Sequence, residues 1–382
     1  MAITSSGILI DTLRKHELLP LDRLVELSQL GFGRCTDSRL VARLLIQKGW
    51  LSVFQVNELL DGKGHELAIG PYQVLDRLGQ GGLATVYKAK HRDTQNLVAI
   101  KMIKPEVFAS EAGREQFLQE IEAMARLDHP NIGQFCDADQ FNDTYYFAME
   151  YVEGTDLGKI VRLSGALGIR EACNYIRQTA LGLQHAFERN LIHRDIKPAN
   201  LFLTFVDPDV AGGETPEQIN PAHSRTTMQM EPLIKILDWG LASLRNPHGS
   251  AEFEVVETGI IGTADYLAPE QARNANAVDI RGDIYSLGCS LYYMLTGQAP
   301  FPEGSLAQKI MQHQTAEPRP IDSFRKDVPA GVVTAVKRMM AKQPEKRFQT
   351  PASVALALQE YSRRPLSMPD MKLPHVACAS HA

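Results

Sequence analysis

Two short stretches of the chain combine side chains that suit the transfer of a phosphoryl group. The first covers residues 193–200 and reads HRDIKPAN, and the second begins at Asp238 and reads DWG. Asp195 can accept the proton of a substrate hydroxyl, and Lys197 can neutralise the moving phosphoryl group. Asn200 and Asp238 add a neutral and an anionic oxygen ligand for Mg²⁺. Phosphoryl transfer depends mostly on positioning and charge neutralisation, so these four residues indicate that chemistry.

A glycine-rich run lies upstream, between two segments that we predict to be strands. It covers residues 78–86 and reads LGQGGLATV. Gly79, Gly81 and Gly82 would bring backbone N–H groups close to phosphates. Ala84 stands where the usual G-x-G-x-x-G pattern has its last glycine, and a methyl group is the smallest departure. A plain β-turn between two strands is the alternative interpretation of these glycines.

A lysine ends the apolar run on the next predicted strand. Residues 98–101 read VAIK, and Lys101 emerges from a segment that should be buried. An unpaired buried ammonium is very costly, so the lysine needs an anionic partner. Glu120, on the helix that follows, is the candidate, and together the two residues would hold the α- and β-phosphates of a nucleotide. A surface lysine at the end of an edge strand is the alternative.

The elements that must position these residues divide the chain into three parts. Residues 1–66 read as short amphipathic helices, and two of their segments are similar at an offset of 32 residues, as in Leu19 and Leu51. Residues 72–152 contain apolar and β-branched runs punctuated by glycines, which predict antiparallel strands. Helices dominate over residues 153–361. We expect an α+β architecture, in which a small all-α module precedes a small β-rich lobe and a larger helical lobe.

Two further segments lack a regular pattern. Residues from about 206 to 232 are polar and rich in Pro, Gly, Thr and Glu, which predicts a solvated insertion between two short strands. Residues 362–382 carry several prolines and no hydrophobic periodicity, so we expect disorder there.

The composition excludes several classes of protein. Hydrophobic residues make up 44% and charged residues 22% of the 382 residues, which is ordinary for a globular protein. The formal net charge of −5 gives no electrostatic footprint for nucleic acid. The five cysteines are widely spaced and form no C-x-x-C pair, so neither a disulfide framework nor a zinc site is expected.

No segment predicts a signal peptide or a membrane span. The N-terminus lacks a charged region followed by a long apolar run. The best candidate for a span is the uncharged run over residues 284–302. Its Gly288, Gly297 and Pro300 fit a buried core helix better than a lipid-facing one. We therefore expect a cytoplasmic protein.

The motifs together resemble those of the protein kinases, and more narrowly those of the bacterial eukaryotic-like Ser/Thr kinases. In chain order they are VAIK at 98–101, HRDIKPAN at 193–200, DWG at 238–240 and APE at 268–270. The resemblance covers residues 72–361, about three quarters of the chain. It implies a bilobal fold, ATP as the phosphoryl donor with Mg²⁺ or Mn²⁺, and protein serine or threonine hydroxyls as acceptors.

The resemblance also implies roles for individual residues. Met149, Glu150 and Val152 would form the hinge beside adenine, and Asp156 would reach a ribose hydroxyl. The expected nucleotide contacts are Gly79, Gly81, Gly82, Val86, Ala99, Lys101, Met149, Glu150, Val152, Asp156 and Phe202, of which Val86, Ala99 and Phe202 would sandwich the adenine ring.

Two long-range contacts and a mode of regulation follow from the same resemblance. Asp283 would brace the catalytic loop, and Glu270 would pair with Arg347. Arg194 beside Asp195 implies control by phosphorylation, because a phosphate adds about −1.5 to −2 charges that an arginine can bind. The regulatory residues that the resemblance implies are Arg194, Thr263 and Thr258, of which Thr258 is the candidate phosphorylation site. A loop that needs no phosphate is the alternative.

Two positions indicate, through the same resemblance, which side-chain hydroxyls accept the phosphoryl group. Lys197 together with Thr263 is similar to the Ser/Thr-specific pattern, whereas tyrosine kinases carry other residues in the catalytic loop. Ala199 stands where kinases that prefer basic substrates often have an acid, so such a preference is not supported.

Three features depart from the family pattern. They are Ala84, the insertion over about 206–232, and Trp239 in place of the phenylalanine of Asp-Phe-Gly. We expect Trp239 to pack beneath the helix that carries Glu120, near Met124. Ala84 and Trp239 leave a pseudokinase or scaffold with weak catalysis as the alternative function. A small-molecule phosphotransferase is disfavoured by Arg194 and by the APE motif.

The role of the N-terminal helical module stays open at the level of the sequence. A helical pair beside a kinase is as often structural as regulatory. The module could dock a partner, support dimerisation or shield the back of the small lobe.

Overall fold

Four short helices form the N-terminal part of the chain. The computed structural model describes residues 5–30, 37–105, 111–207, 230–239, 264–273 and 278–363. The helices are α1 (Ser6–Lys15), α2 (Leu21–Gln29), α3 (Ser38–Gln47) and α4 (Val53–Leu60). Both α1 and α3, and likewise α2 and α4, begin 32 residues apart, which is the offset of the sequence repeat. The module is therefore a duplicated helical hairpin.

The small lobe is built on one antiparallel sheet. Its strands are β1 (Ala68–Ile69), β2 (Tyr72–Gln80), β3 (Ala84–His91), β4 (Leu97–Ile103), β5 (Phe135–Phe141) and β6 (Thr144–Glu150). They lie in the order β1-β2-β3-β4-β6-β5, and helix α5 (Glu111–Met124) connects β4 to β5 in the sequence. This confirms the predicted β-rich lobe.

The two faces of this sheet contact different partners. Side chains alternate along a strand, so Val98 and Ile100 of β4 face one side while Ala99 and Lys101 face the other. Val98 and Ile100 belong to a buried core that they share with module leucines such as Leu59. Ala99 packs against the larger core of the catalytic lobes. The helical module thus covers the outer face of the small lobe, as the shielding interpretation predicts.

The large lobe is mainly helical. Its helices are α6 (Leu157–Ser164), α7 (Ile169–Phe187), α8 (Ile280–Thr296), α9 (Leu306–Thr315), α10 (Ala330–Met339) and α11 (Pro351–Ser362). A three-stranded antiparallel sheet of β7 (Thr155–Asp156), β8 (Leu201–Val206) and β9 (Glu231–Ile236) lies beneath the hinge.

The uncharged run that could have suggested a membrane span lies largely in α8. Asp279 caps the helix by accepting a hydrogen bond from Arg281 N, and Gly297 ends it in the left-handed conformation, with φ of 76°. Almost every residue of α8 is buried in the large lobe. Within the described part of the chain, no helix is both long enough and apolar enough to span a bilayer.

The β8–β9 hairpin is longer than the sequence suggested. Val206 pairs with Glu231, and Phe205 pairs with Pro232, so both ends of the predicted insertion belong to strands. Phe205, Val206 and Pro232 are half-buried at these positions, whereas Glu231 is exposed. Residues 208–229 and 364–382 lie outside the described residues, so the expectations for the rest of the insertion and for the tail stay predictions.

Candidate active site

A buried carboxylate on α8 holds the start of the catalytic loop. Asp283 is 1% exposed, and its two oxygens accept hydrogen bonds from the backbone N–H groups of His193 and Arg194, both at 2.8 Å. Burial raises the pKa of the Asp283 carboxyl, although His193 and Arg194 act in the opposite direction. The core helix therefore fixes the backbone just before Asp195, which is the brace that the resemblance implied.

The three polar residues of the catalytic loop are joined by hydrogen bonds. Lys197 Nζ lies 3.1 Å and 2.9 Å from the two carboxylate oxygens of Asp195. Asn200 Nδ2 donates to Asp195 O at 2.8 Å. The structure thus brings the predicted base, the predicted cation and a predicted metal ligand into one cluster.

Two contacts with backbone groups determine which ring nitrogen of His193 carries the proton. His193 Nδ1 accepts a hydrogen bond from Asp195 N at 3.2 Å, so Nε2 carries the proton and donates to Leu237 O at 3.0 Å. Because Leu237 directly precedes Asp238, this contact ties the catalytic loop to the second metal-ligand segment.

Asp238 forms an ion pair with the buried lysine of β4. Lys101 Nζ lies 3.0 Å from Asp238 Oδ1. Desolvation is the largest single effect and raises the pKa of the Asp238 carboxyl. The charge and hydrogen bond of Lys101 together with the charges of His193 and Lys197 outweigh it, so the pKa lies below its ordinary value. The carboxylate is therefore ionised and available to a cation. Glu120 is half-buried on α5, and its pairing with Lys101 stays a prediction.

Trp239 is buried in the core of the two lobes. Its side chain is 2% exposed and belongs to the same buried core as Met124. The indole N–H donates to Ile236 O at 3.3 Å, and its ring lies 4.7 Å from the His193 ring, centroid to centroid. The bulkier residue is thus accommodated with its polar atom satisfied, and its packing beneath α5 near Met124 stays a prediction.

The glycine-rich loop is a short turn between β2 and β3. Gly81 N donates to Ala84 O at 2.8 Å. A Cβ at Gly79 or Gly82 would meet no described atom within 4 Å, so the loop leaves open space on its surface. Ala84 is 5% exposed and lies in the hydrophobic core. Its methyl group therefore packs inward and does not narrow the space beside the loop.

The predicted adenine-binding residues lie at the junction of the two lobes. Ala99 of β4 pairs with Met149 of β6, and Asp156 of β7 pairs with Phe202 of β8. Val152 is buried between these sheets. Asp156 Oδ1 also accepts a hydrogen bond from Lys159 N at 2.7 Å, so this residue caps α6 in addition to its predicted contact with ribose.

Sequence reasoning missed a lysine that holds the hinge. Lys235 Nζ on β9 lies 2.8 Å from Glu150 Oε2 of the hinge, and the same oxygen accepts a hydrogen bond from Gln134 N. The signal was available, because Lys235 stands alone in an apolar strand, as Lys101 does. The predicted hinge residue is thus anchored from the large lobe.

The stretch from the DWG motif to the APE motif, which in the resemblance is the activation segment, is anchored at its end by a buried arginine. The Arg347 side chain is fully buried, and its two terminal nitrogens lie 2.6 Å and 2.8 Å from the carboxylate oxygens of Glu270. Gln271 Nε2 donates to Arg194 O at 2.6 Å, which joins this segment to the catalytic loop. The predicted regulatory residues Thr258 and Thr263 lie outside the described residues.

Comparison with known proteins agrees with this geometry. Residues 72–358 match the family model described as the protein kinase domain. The chain is 32% identical over 281 residues to serine/threonine-protein kinase PrkC of Bacillus subtilis, covering 74% of this chain and 39% of that protein. It is 31% identical over 288 residues to serine/threonine-protein kinase PknB of Mycobacterium tuberculosis, covering 74% of this chain and 41% of that protein.

Solved structures give the same result for the fold. The PknI kinase domain of Mycobacterium tuberculosis is 25% identical, with a TM-score of 0.54, and the match covers 77% of this chain and 97% of that one. The chain spans about two fifths of the length of the curated relatives that it matches. With the kinase domain model matching well over half of its length, the chain belongs to the protein kinase family.

Proposed function

We propose that the chain transfers the γ-phosphoryl group of ATP to serine and threonine hydroxyls of proteins. The observation that carries the proposal is the cluster of Asp195, Lys197 and Asn200, braced by Asp283 and adjacent to the Lys101–Asp238 ion pair. The curated relatives PrkC and PknB are named serine/threonine-protein kinases. None of these relatives favours the alternative of a pseudokinase scaffold.

The chemistry assigns a separate role to each group of the cluster. Asp195 accepts the proton of the acceptor hydroxyl as the oxygen attacks the γ-phosphorus, while the bond from that phosphorus to the bridging oxygen breaks and ADP leaves. Lys197, held against Asp195, neutralises the negative charge that spreads over the transferred group. Lys101 neutralises the phosphates of the nucleotide, and the hinge around Glu150 positions its base. Apart from the proton transfer to Asp195, these roles are positional or electrostatic, so the fixed geometry of the loop contributes much of the lowering of the barrier.

The residues present fit a divalent metal ion. Asn200 donates its amide N–H to Asp195 O, which leaves Oδ1 on the opposite side of the amide as a ligand atom. Asp238 is kept ionised by Lys101. Oxygen ligands of this kind suit Mg²⁺, with Mn²⁺ as an alternative ion, and a bound ion would neutralise charge on the phosphates. We propose that Asn200 and Asp238 hold it.

We also propose that phosphorylation of the activation segment, at Thr258 by preference, raises activity. Arg194 Nε is buried without a hydrogen-bond partner among the described residues. An arginine in that state favours an arriving phosphate, because the group would supply the missing acceptors.

The remaining proposals concern partners and location. Protein substrates are the expected partners, and the module is a second candidate surface for a partner or for dimerisation, because α2 exposes Leu21 and Val25. Light scattering of the purified chain at several concentrations distinguishes a monomer from a dimer. We propose that the kinase domain acts in the cytoplasm, where ATP is supplied.

Incubation with Mg-ATP followed by mapping of phosphorylated residues tests the main proposal. Asp195→Asn is the matched control, because it keeps the size of the side chain and removes the base. We expect phosphate on the wild-type protein or on a generic protein acceptor, and none with the variant. Absence of transfer by the wild type to either would contradict kinase activity.

A further inference from the structure

The strand that leads into the glycine-rich loop has an irregular edge. Strand β2 pairs with β1 only at Tyr72 and Gln73, so from Val74 onward it has a β neighbour on one side only. Its register with β3 shifts between Val74 and Asp76, which leaves Leu75 as the extra residue of a bulge. Two backbone carbonyls at this bulge, those of Val74 and Leu75, therefore need partners from outside the sheet.

Helix α4 of the N-terminal module supplies both partners. Gln55 Nε2 donates to Val74 O at 2.7 Å, and Ser52 Oγ donates to Leu75 O at 2.5 Å. Gln55 is 2% exposed, so its amide makes this contact away from water. A buried hydrogen bond of this kind fixes position strongly, because losing it leaves a buried carbonyl without a partner.

The same two side chains also form the capping box of α4. Ser52 N donates to Gln55 Oε1 at 2.8 Å, and Gln55 N donates to Ser52 Oγ at 3.1 Å. The orientation of both side chains is therefore fixed by the helix before they reach β2. The helix start and the bulge of β2 form one rigid unit.

The duplication of the module shows that the Ser52–Gln55 pair occurs in its second copy and not in its first. At the offset of 32 residues, Ser52 and Gln55 correspond to Pro20 and Arg23 of the first hairpin. Pro20 makes no side-chain cap, and the Arg23 guanidinium lies over the Trp50 ring at 5.5 Å. Helix propensity alone does not require the serine and glutamine, since the first copy forms its helix without them.

We propose that Gln55 and Ser52 are positioning residues for the glycine-rich loop, through which the helical module sets the affinity of the site for Mg-ATP. Leu75 lies four residues before Gly79 in the same strand, and the register of this strand with β3 shifts again between Arg77 and Gly79. The far end of the loop is tied separately, by the hydrogen bond from Lys104 N to Leu83 O at 2.9 Å. The inference rests on the proposed function, because it assumes that the glycine-rich loop covers the phosphates of ATP.

The variant Gln55→Glu separates the two roles of the side chain. A glutamate keeps the oxygen that completes the capping box, whereas it places an oxygen instead of the N–H donor against Val74 O. The matched control is Asp37→Ala, which removes the N-cap of α3, where Asp37 accepts from Arg39 N at 2.9 Å. Asp37→Ala weakens a module helix without changing the contact with β2, whereas Gln55→Glu keeps the cap of its helix and changes that contact.

The experiment uses the full chain and two measurements. Hydrogen exchange of the peptide that contains Gly79–Gly82, recorded without nucleotide, reports the loop directly. Titration with Mg-ATP gives the dissociation constant. For Gln55→Glu we expect exchange in this peptide to become at least about fivefold faster, and the dissociation constant to rise by a similar factor. For Asp37→Ala we expect both values to stay within about twofold of the wild type.

The exchange of the loop peptide decides whether the proposal holds. Unchanged exchange of the loop peptide in Gln55→Glu, or an equal change in Asp37→Ala, overturns the proposal. If Gln55→Glu does not fold, Ser52→Ala removes one of the two contacts and is judged by the same criteria. If the wild type binds no nucleotide, the proposed kinase function fails, while the exchange measurement still decides whether α4 holds the loop.

Discussion

The Arg347 guanidinium and the Glu270 carboxylate form a two-point ion pair in the interior of the large lobe. The arginine also donates to three backbone carbonyls, those of Ala341, Lys342 and Arg281. Each of the three guanidinium nitrogens thus donates at least one hydrogen bond. Since Glu270 closes the APE motif and Arg347 belongs to the segment before α11, one residue joins the activation segment to the C-terminal part of the domain.

Replacement of this arginine should destabilise the large lobe severely. Arg347→Ala leaves Glu270 without its partner and three carbonyls without donors, which should cost about 3–5 kcal/mol of unfolding free energy. Urea denaturation checks the value. Glu26→Gln serves as the control, because the Glu26–Lys48 pair is largely exposed and should contribute little. Equal losses of unfolding free energy in Arg347→Ala and Glu26→Gln would contradict the stabilising role of the Arg347–Glu270 pair.

The brace at Asp283 should act on turnover more than on nucleotide binding. Asp283→Asn retains one acceptor oxygen, but its NH₂ group faces the N–H of either His193 or Arg194. The loop should shift, and kcat should fall by about 10²-fold or more, because small displacements of catalytic groups have effects of that size. The KM for ATP should change much less. Steady-state kinetics with both substrates varied tests this, and a pure KM effect would refute the brace.

His313 should make stability depend on pH in the mildly acidic range. Burial, with Lys342 nearby, lowers the pKa of His313 to about 4. Because the folded pKa lies below the unfolded value near 6.5, the unfolded state binds more protons between these values. The contribution of His313 is therefore fully present above about pH 6.5 and is lost as pH falls towards 4, by up to about 3 kcal/mol.

The comparison with His313→Gln isolates this effect. The unfolding free energy of the variant should be lower than that of the wild type at pH 7, and the difference should shrink towards pH 4. Denaturation curves at pH 7, 6, 5 and 4 provide the test. If the unfolding free energies of the wild type and the variant fell in parallel with pH, another group would be responsible for the loss of stability in acid.

Trp239 should be replaceable by the usual phenylalanine of the family. Trp239→Phe keeps an aromatic ring in the core and leaves Ile236 O with the hydrogen bond from Gly133 N alone, which should cost about 1 kcal/mol. Trp239→Ala should cost about 3–5 kcal/mol, because it also opens a cavity. Activity should survive in the first variant and be lost with the fold in the second. Similar melting temperatures for Trp239→Phe and Trp239→Ala would contradict a packing role of the Trp239 ring.

The helical module should be required for a stable small lobe. Leu59 is fully buried in the core that the module shares with Val98 and Ile100. Leu59→Ala should therefore lower the unfolding free energy by about 2–5 kcal/mol and lower the melting temperature of the small lobe along with the module. Leu21→Ala is the control, since Leu21 is 74% exposed on α2. Independent melting of module and lobe would contradict a shared core.

Much of the site could be predicted from the sequence because its chemistry is local. Asp195, Lys197 and Asn200 lie in one short loop, and their residue types follow from the needs of phosphoryl transfer. The 32-residue repeat and the alternation in β4 likewise follow from periodicity, which reflects the local geometry of helices and strands. The resemblance to the kinases supplied the long-range contact between Glu270 and Arg347.

Only the tertiary structure decided which surfaces meet. The sequence left the module free to dock, dimerise or shield, whereas the fold places it on the outer face of the small lobe. Neither the Lys235–Glu150 pair nor the contact of Gln55 with Val74 could be read from spacing. These contacts depend on how elements far apart in the chain pack together, and a buried polar group takes whichever partner that packing brings within reach.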